Sequence, residues 1–325
     1  MIDELERLKK KIIEDIKGDF FIIVDGGARN GTKEVPNLHP LSLIFAFEPN
    51  TEEFNKLQNV MDGDTNFFKP GTVINYPVAL VKDDKKVILN ISLRSGATST
   101  LYPDADFLSH FKEDNWHEIS EIINQIEVPG MRLDTFMKKN GISYIDLLKL
   151  DTQGNELDIL ISSGEFIDTI EVIKAEVEFA KIYKGQPLFF DVSKFLYDNG
   201  FELIDFQWSD PCRRFHYRED LEPNAYRLIW ADAIFARRPY DFNKPRLLAQ
   251  AIILAEMGYK DLALYQIINS KLSLNEKKVL EKYYLTCPPK TIKRRIKDFI
   301  AKNYHLKIER YNFIKKQVKS VKHSR

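Results

Sequence analysis

The chain has 325 residues, 44% hydrophobic and 30% charged, which gives enough apolar material for a large core and argues for a soluble globular protein. Its two cysteines, Cys212 and Cys287, lie far apart, which excludes a disulfide scaffold and suits a reducing, cytoplasmic setting. No apolar run approaches the ~20 residues of a membrane span, and the opening Met1-Ile2-Asp3-Glu4 reads as too acidic for a signal peptide.

In chain order, Ile2, Leu5, Leu8, Ile12, Ile13 and Ile16 fall at helical spacing and predict an amphipathic helix over residues 2–16. Phe20-Phe21-Ile22-Ile23-Val24 is an apolar, β-branched run, the signature of a strand buried on both faces. It ends in Asp25 and the turn Gly26-Gly27-Ala28-Arg29-Asn30-Gly31, from which a helix cut short by Pro36 is expected. Such a unit aims backbone N–H groups at a ligand. Dinucleotide enzymes want G-x-G-x-x-G there. This chain has Ala28 in the second glycine slot, and Asp25 would sit badly beside a pyrophosphate. An acid at that place suits the cationic amine of S-adenosylmethionine instead; the remaining reading is a tight structural turn.

Residues 42–48 form a second strand run ending in Glu48, 23 residues after Asp25. In βαβ cofactor folds an acid about 20 residues on takes hydrogen bonds from ribose hydroxyls. Residues 51–61 read as a helix and residues 73–81 as strand three, where Pro77 indicates a sheet edge. The tip of strand three, Val78 and Ala79, is expected to border the adenine. Residues 86–93 alternate as an added strand, and 94–101 are a small polar loop. Residues 102–126, with His110, Trp116 and His117, read as an irregular insert, either a substrate lid or a decoration.

Residues 144–151 are strand four, followed by a turn at 152–156 and a helix. Residues 172–179 are strand five, 189–199 a helix stopped by Gly200, and 201–208 and 228–236 the last two strands, separated by a polar, aromatic insert. After Pro239 only helical periodicity remains. The expected organisation is thus an α/β domain over 1–239 and an all-α extension over 240–325. That extension ends in a basic amphipathic tail: residues 290–325 carry 13 Lys and Arg against 2 Asp and Glu, a net of +11, so residues 1–289 carry −11. Three partners fit such a tail: an anionic membrane at its cytoplasmic face, nucleic acid, or the acidic body of the same or a second subunit.

Ligands of an open parallel sheet sit at the carboxyl ends of its strands. This gathers Asp25, Glu48, Asp151, Glu176 and Glu178, an arrangement that demands cationic or hydrogen-bonding partners. A sulfonium cofactor with an amine and a ribose would satisfy several of them. Asp151, ending the central strand, is expected to hold the acceptor or take its proton, and otherwise to cap a helix. At most one of Glu176 and Glu178 is expected to face the crevice, the alternative being structural ion pairs. Asp151 with one of them could hold Mg²⁺. His216, in the insert between the last two strands, is a candidate base or a plain loop histidine. The expected cofactor contacts are Asp25, Gly26, Gly27, Ala28, Asn30, Gly31, Glu48, Pro49, Val78, Ala79 and Asp151; the expected catalytic residues are Asp151, Glu176 and His216.

Between residues 20 and 239 the chain resembles the FkbM-type S-adenosylmethionine-dependent methyltransferases. The resemblance rests on Val24-Asp25-Gly26-Gly27-Ala28-Arg29-Asn30-Gly31, Phe45-Ala46-Phe47-Glu48-Pro49, Gly96-Ala97-Thr98-Ser99 and Leu133-Asp134-Thr135-Phe136. Its most specific segment is Ile145-Asp146-Leu147-Leu148-Lys149-Leu150-Asp151-Thr152-Gln153-Gly154-Asn155-Glu156-Leu157, followed by Glu176-Val177-Glu178-Phe179 and Tyr183-Lys184-Gly185-Gln186. It implies a Rossmann-like seven-stranded class I sheet, with Asp25, Gly27 and Glu48 touching the cofactor. It implies O-methylation of sugars or related natural-product hydroxyls, often in polysaccharide biosynthesis. Action on protein or nucleic acid, or a silent cofactor-binding scaffold, are the alternatives. The resemblance says nothing about the tail or a homo-oligomer.

Overall fold

The computed structural model describes residues 7–8, 20–58, 71–109, 116–207, 228–244 and 246–286. Most of the expected helix over 2–16, the end of the helix over 51–61, His110, the insert carrying His216, and the basic tail lie outside them.

The elements follow in chain order. They are β1 (Phe21–Gly26), β2 (Ser42–Phe47), α1 (Thr51–Gln58), β3 (Thr72–Tyr76), β4 (Ala79–Leu80), β5 (Val87–Ser92), β6 (Ile122–Val128) and β7 (Gly130–Met131). Then come α2 (Leu133–Asn140), β8 (Ile145–Leu150), α3 (Glu156–Ser162), β9 (Ile170–Glu178), α4 (Phe189–Asp198), β10 (Phe201–Gln207) and β11 (Trp230–Arg237). The chain continues through α5 (Leu247–Glu256), α6 (Lys260–Asn269) and α7 (Leu274–Thr286). The seven-stranded sheet runs β3-β2-β1-β8-β9-β11-β10. The first five of these strands are parallel neighbours, and β11 is antiparallel to both β9 and β10. Counted within the sheet the order is 3-2-1-4-5-7-6, the class I methyltransferase fold.

The central strands read as unbroken apolar runs because both their faces are covered. On one face Ile22, Val24, Phe45, Leu148 and Ile173 pack with Phe136, Leu160 and Leu196 of α2, α3 and α4. Phe136 meets Phe45 and Phe47 edge-on at 5.0 and 4.9 Å between ring centres and so ties α2 to β2 beneath the crevice. On the other face Phe21, Ile23, Ile44, Leu147, Val172 and Ile234 pack with Ile252, Leu254, Ile267 and Leu280 of α5, α6 and α7. The C-terminal helices thus complete the second layer over the sheet. A buried ion pair pins them there: Arg246 Nη2 lies 2.6 Å from Asp146 Oδ1, while Ile22 N–H donates to Asp146 Oδ2 at 2.9 Å. Among the described residues no helix is long and apolar enough to cross a membrane.

Three local expectations differ. No helix follows β1: the N–H groups of Gly27 and Ala28 both donate to the Phe47 carbonyl, and Gly31 N–H closes a turn onto Ala28. With Val35 at φ 41° and Pro36 starting a 3-10 turn, that segment stays a loop. Its first amides therefore serve β2 and do not point at a ligand. Strand three breaks at Pro77, as a residue without an N–H requires. Its first part is indeed the sheet edge, and Ala79–Leu80 pairs instead with Gly130–Met131. Finally, residues 122–126, the end of the stretch expected to be irregular, belong to β6, which is antiparallel to β5 in a separate two-stranded sheet.

Candidate active site

At the carboxyl end of the sheet the turn after β1 lies against β8. Asp151 N–H donates to the Gly26 carbonyl at 3.0 Å. Gly27 has φ 84°, and a Cβ there would stand 2.0 Å from the Asp151 carbonyl oxygen, so only glycine permits this approach.

Asp25 is 1% exposed. Its Oδ2 accepts from Thr32 Oγ1 at 2.7 Å, and its Oδ1 lies 3.0 Å from Lys149 Nζ. Lys149 is the register partner of Asp25 across β1 and β8. Its ammonium also donates to the Gly27 carbonyl at 3.1 Å and lies 3.6 Å from Asp151 Oδ2. Burial opposes that charge, but Asp25 and Asp151 outweigh it and hold the Lys149 pKa above the ordinary lysine range. The next residue along the same row, Lys174 on β9, sits 2.9 Å from Glu34 Oε1 and 3.1 Å from Asp232 Oδ2. Asp25 and Asp151 therefore already share an ammonium partner from within the chain, where the sequence had suggested the cofactor's amine.

Glu48 accepts the Asn50 N–H at 2.8 Å through Oε1, and its second oxygen has no donor among the described residues. Burial pushes its pKa up to about 7, against the pull of the Asn50 amide. A cavity of about 290 Å³ brings together Asp25, Gly26, Gly27, Asn30, Gly31, Glu48, Pro49, Val78, Ala79 and Asp151. Ala28 does not line it; that side chain is buried against Ala46 and Leu57. Phe47, Leu80 and Leu89 add apolar wall.

A second cavity, about 330 Å³, shares Asp151, Gln153, Arg29, Ser95 and Gly96 with the first and continues to Arg94, Glu176, Glu178, Tyr183 and Trp230. Both glutamates line it, contrary to expectation, because residues two apart on a strand share a face. Burial raises the pKa of each well above the carboxylate range, with Asp151 and Glu178 adding to the effect on Glu176, and Glu156 and Asp151 to that on Glu178.

Gln153, unremarked in the sequence, joins these groups. Its Nε2 donates to Asp151 Oδ1 at 3.0 Å and to Glu176 Oε2, while its Oε1 accepts from Tyr183 OH at 3.0 Å. Its backbone is left-handed, φ 59°, a conformation that costs a non-glycine residue about 1 kcal/mol or more and marks functional sites when the surroundings enforce it. Ser99 Oγ, donating to the Gln153 carbonyl at 2.7 Å, helps to enforce it. The turn's own donors go to Glu156: Thr152 N–H at 2.7 Å, Thr152 Oγ1 at 2.9 Å and Gly154 N–H at 3.0 Å. Glu156 thus does the capping considered for Asp151, whose side chain stays 41% exposed at the junction of the two cavities. Among the described residues no group of three or more His, Cys, Asp and Glu is placed to hold a metal ion. His216 lies outside the described residues.

Residues 25–203 match the model of the methyltransferase FkbM domain. "Methyltransferase 1" of Beauveria bassiana is 26% identical over 166 residues, 49% of this chain and 65% of that protein. "2-O-methyltransferase NoeI" of Sinorhizobium fredii is 23% identical over 194 residues, 55% of this chain and 72% of that protein. Among solved structures, magnesium protoporphyrin IX methyltransferase from Synechocystis PCC 6803 with bound S-adenosylmethionine superposes with a TM-score of 0.30 and 10% identity, covering 73% of this chain and 80% of that one. TYW2 of M. jannaschii in complex with AdoMet gives 0.28 and 16%, covering 71% and 74%. With the family model spanning more than half of its length, the chain belongs to the FkbM family of S-adenosylmethionine-dependent methyltransferases.

Proposed function

We propose that this enzyme transfers the methyl group of S-adenosylmethionine to a hydroxyl of a sugar or glycan precursor, with the cofactor in the first cavity and the acceptor in the second. The observation that carries the reading is the junction: Asp151 and Gln153 line both cavities, and a carboxylate there stands between donor and acceptor. The first cavity fits the cofactor by its chemistry. Glu48 offers ribose hydroxyls an oxygen without a donor among the described residues, Phe47, Val78 and Leu80 offer an apolar bed to adenine, and the acids favour a cation. When bound, the cofactor supplies an electrophilic methyl on a sulfonium sulfur.

The chain's own residues do the rest. Gln153 fixes Asp151 and Glu176 by one amide, so the two carboxyls keep their spacing without a charge between them. Asp151 takes the acceptor hydroxyl's proton. Glu176 and Glu178, with pKa values raised by burial, exchange hydrogen bonds with neighbouring hydroxyls, and Trp230 offers a face to the ring. This pairing of carboxyls with an aromatic wall supports a sugar over a purely apolar acceptor. The +11 tail is assigned to an anionic membrane surface carrying that precursor.

The test is calorimetric titration of S-adenosylmethionine and S-adenosylhomocysteine, followed by product release over a carbohydrate panel. Micromolar binding and turnover on sugars, with Asp151→Asn lowering kcat by about 10²–10⁴ while the cofactor Kd holds, are the expected results. Turnover on polynucleotide or protein only, or an unaffected Asp151→Asn, would overturn the reading.

A further inference from the structure

The second cavity holds a cation without a counter-ion. Arg94 lies in the loop two residues beyond β5, its backbone fixed by a bond from its own N–H to the Glu118 carbonyl at 3.1 Å and by Ala97 N–H donating to its carbonyl at 2.7 Å. Its Nη1 is buried and finds no hydrogen-bond acceptor, and Arg94 forms no ion pair among the described residues. Of the carboxyls of the same cavity, Asp151 is engaged with Lys149 and Gln153 and Glu176 with Gln153, while Glu178 forms no ion pair among the described residues and its Oε1, like Arg94 Nη1, is buried without a hydrogen-bond partner. At the junction stands a second guanidinium. Arg29 Nη1 donates to Ser95 Oγ, and its Nη2 lies where a Cβ on Gly96 would come within 3.2 Å, so Gly96 leaves room for it.

A folded chain satisfies its buried donors unless something outside it will do so. The planar donors of Arg94 match an oxyanion, carboxylate or phosphate, in two-point geometry. The charges are moreover segregated: Arg29 and Arg94 come from the turn after β1 and the loop after β5, whereas Glu176 and Glu178 come from β9. A neutral sugar would meet the glutamates and leave the guanidinium bare.

We infer that Arg94, supported by Arg29, binds an oxyanion carried by the methyl acceptor, so that the acceptor is an acidic sugar, bearing a carboxylate or a phosphate, held with its hydroxyl at Asp151. This rests on the reading of the second cavity as the acceptor site.

Ligand-detected NMR on the full chain saturated with S-adenosylhomocysteine separates the sources, using glucuronate, glucose 1-phosphate and glucose as probes. At least one anionic probe is expected to bind tenfold or more tightly than glucose. Arg94→Gln should reduce that probe to the glucose level, Arg94→Lys should keep part of the preference, and neither should change the cofactor Kd. Arg94→Gln should also melt no lower than the wild type, since it removes a charge that the fold leaves unpaired. Glucose binding as well as both anions, an anion preference that survives Arg94→Gln, or a lowered melting temperature would overturn the inference while leaving the cavity's reading intact. Binding of none of the three probes, with the cofactor still bound, would overturn both.

Discussion

Glu48→Gln separates what Glu48 does for folding from what it does for binding. A carboxyl lifted from its ordinary 4.5 to about 7 costs the folded state about 3 kcal/mol once the pH exceeds both values. The sign follows from proton counts. Below pH 4.5 both states hold the proton and nothing is lost. Between 4.5 and 7 the unfolded chain ionises first, so stability falls as pH rises, and above 7 the loss is complete. Glutamine has no such term. Ligand-free Glu48→Gln should therefore be about 3 kcal/mol more stable than the wild type at pH 8.5, a rise of roughly 4–5 °C in Tm, but less than about 1 kcal/mol more stable at pH 5.

Binding should move the other way. A carboxylate receiving ribose hydroxyls is worth ~1.5–3 kcal/mol, so the variant should bind S-adenosylhomocysteine about 10- to 100-fold more weakly at pH 8. Wild-type affinity should climb between pH 6 and 8, with about half a proton released per ligand at pH 7, and the variant should show neither effect. Thermal melts across pH and calorimetry in two buffers of different ionisation heat measure all of this. A stability gain equal at pH 5 and 8.5, or an unchanged affinity, would refute the reasoning.

Further outcomes follow from single contacts. Gly27→Ala drives a Cβ into the Asp151 carbonyl at 2.0 Å, backbone against backbone. It should cost more than about 3 kcal/mol in urea unfolding and abolish cofactor binding. Arg246→Ala strands a fully buried Asp146 carboxyl and should destabilise by about 3–5 kcal/mol at pH 8. Burial already raises the Asp146 pKa, and losing Arg246 raises it further, so the variant should regain part of that loss as the pH falls and the carboxyl protonates. The full chain should sediment with vesicles containing anionic lipid at low salt and leave them at high salt; remaining in solution at low salt would remove the membrane assignment.

The sheet was legible because β1, β2, β8 and β9 are buried on both faces, and an apolar run bounded by an acid or a glycine leaves little choice. Asp25 and Glu48 were legible for the same reason, since an acid ending such a run marks the strand tip. The loop after β1 was not: whether Gly27 and Ala28 amides open a helix or serve the Phe47 carbonyl depends on a strand 20 residues away. β6 escaped because Asn124-Gln125 and Glu127 interrupt its apolar residues, and its pairing is with β5 alone. Lys149 escaped because a lysine between leucines says nothing of Asp25, its partner across the sheet. Arg94 and Arg29 sit in loops without a period, and only the folded chain brings them to one cavity.

The charges around the two cavities are organised by proton affinity more than by pairing. Lys149 and Lys174 are held charged between acids, so Asp25, Asp151, Glu34 and Asp232 have fixed counter-ions. Glu48, Glu176 and Glu178 form no ion pair among the described residues, and burial lifts all three toward neutrality. Those carboxyls hold protons that they would release to solvent when a cation or hydrogen-bond donor is brought beside them. Methyl transfer from a sulfonium to a hydroxyl removes one positive charge from the donor and releases one as a proton. A site whose carboxyls can give up protons when the cation arrives, and accept one when it is spent, meets that change without exposing charge to an apolar wall. Replacing Lys149 or Lys174 by a neutral residue would spoil the division, because Asp25 or Glu34 would then lose its counter-ion.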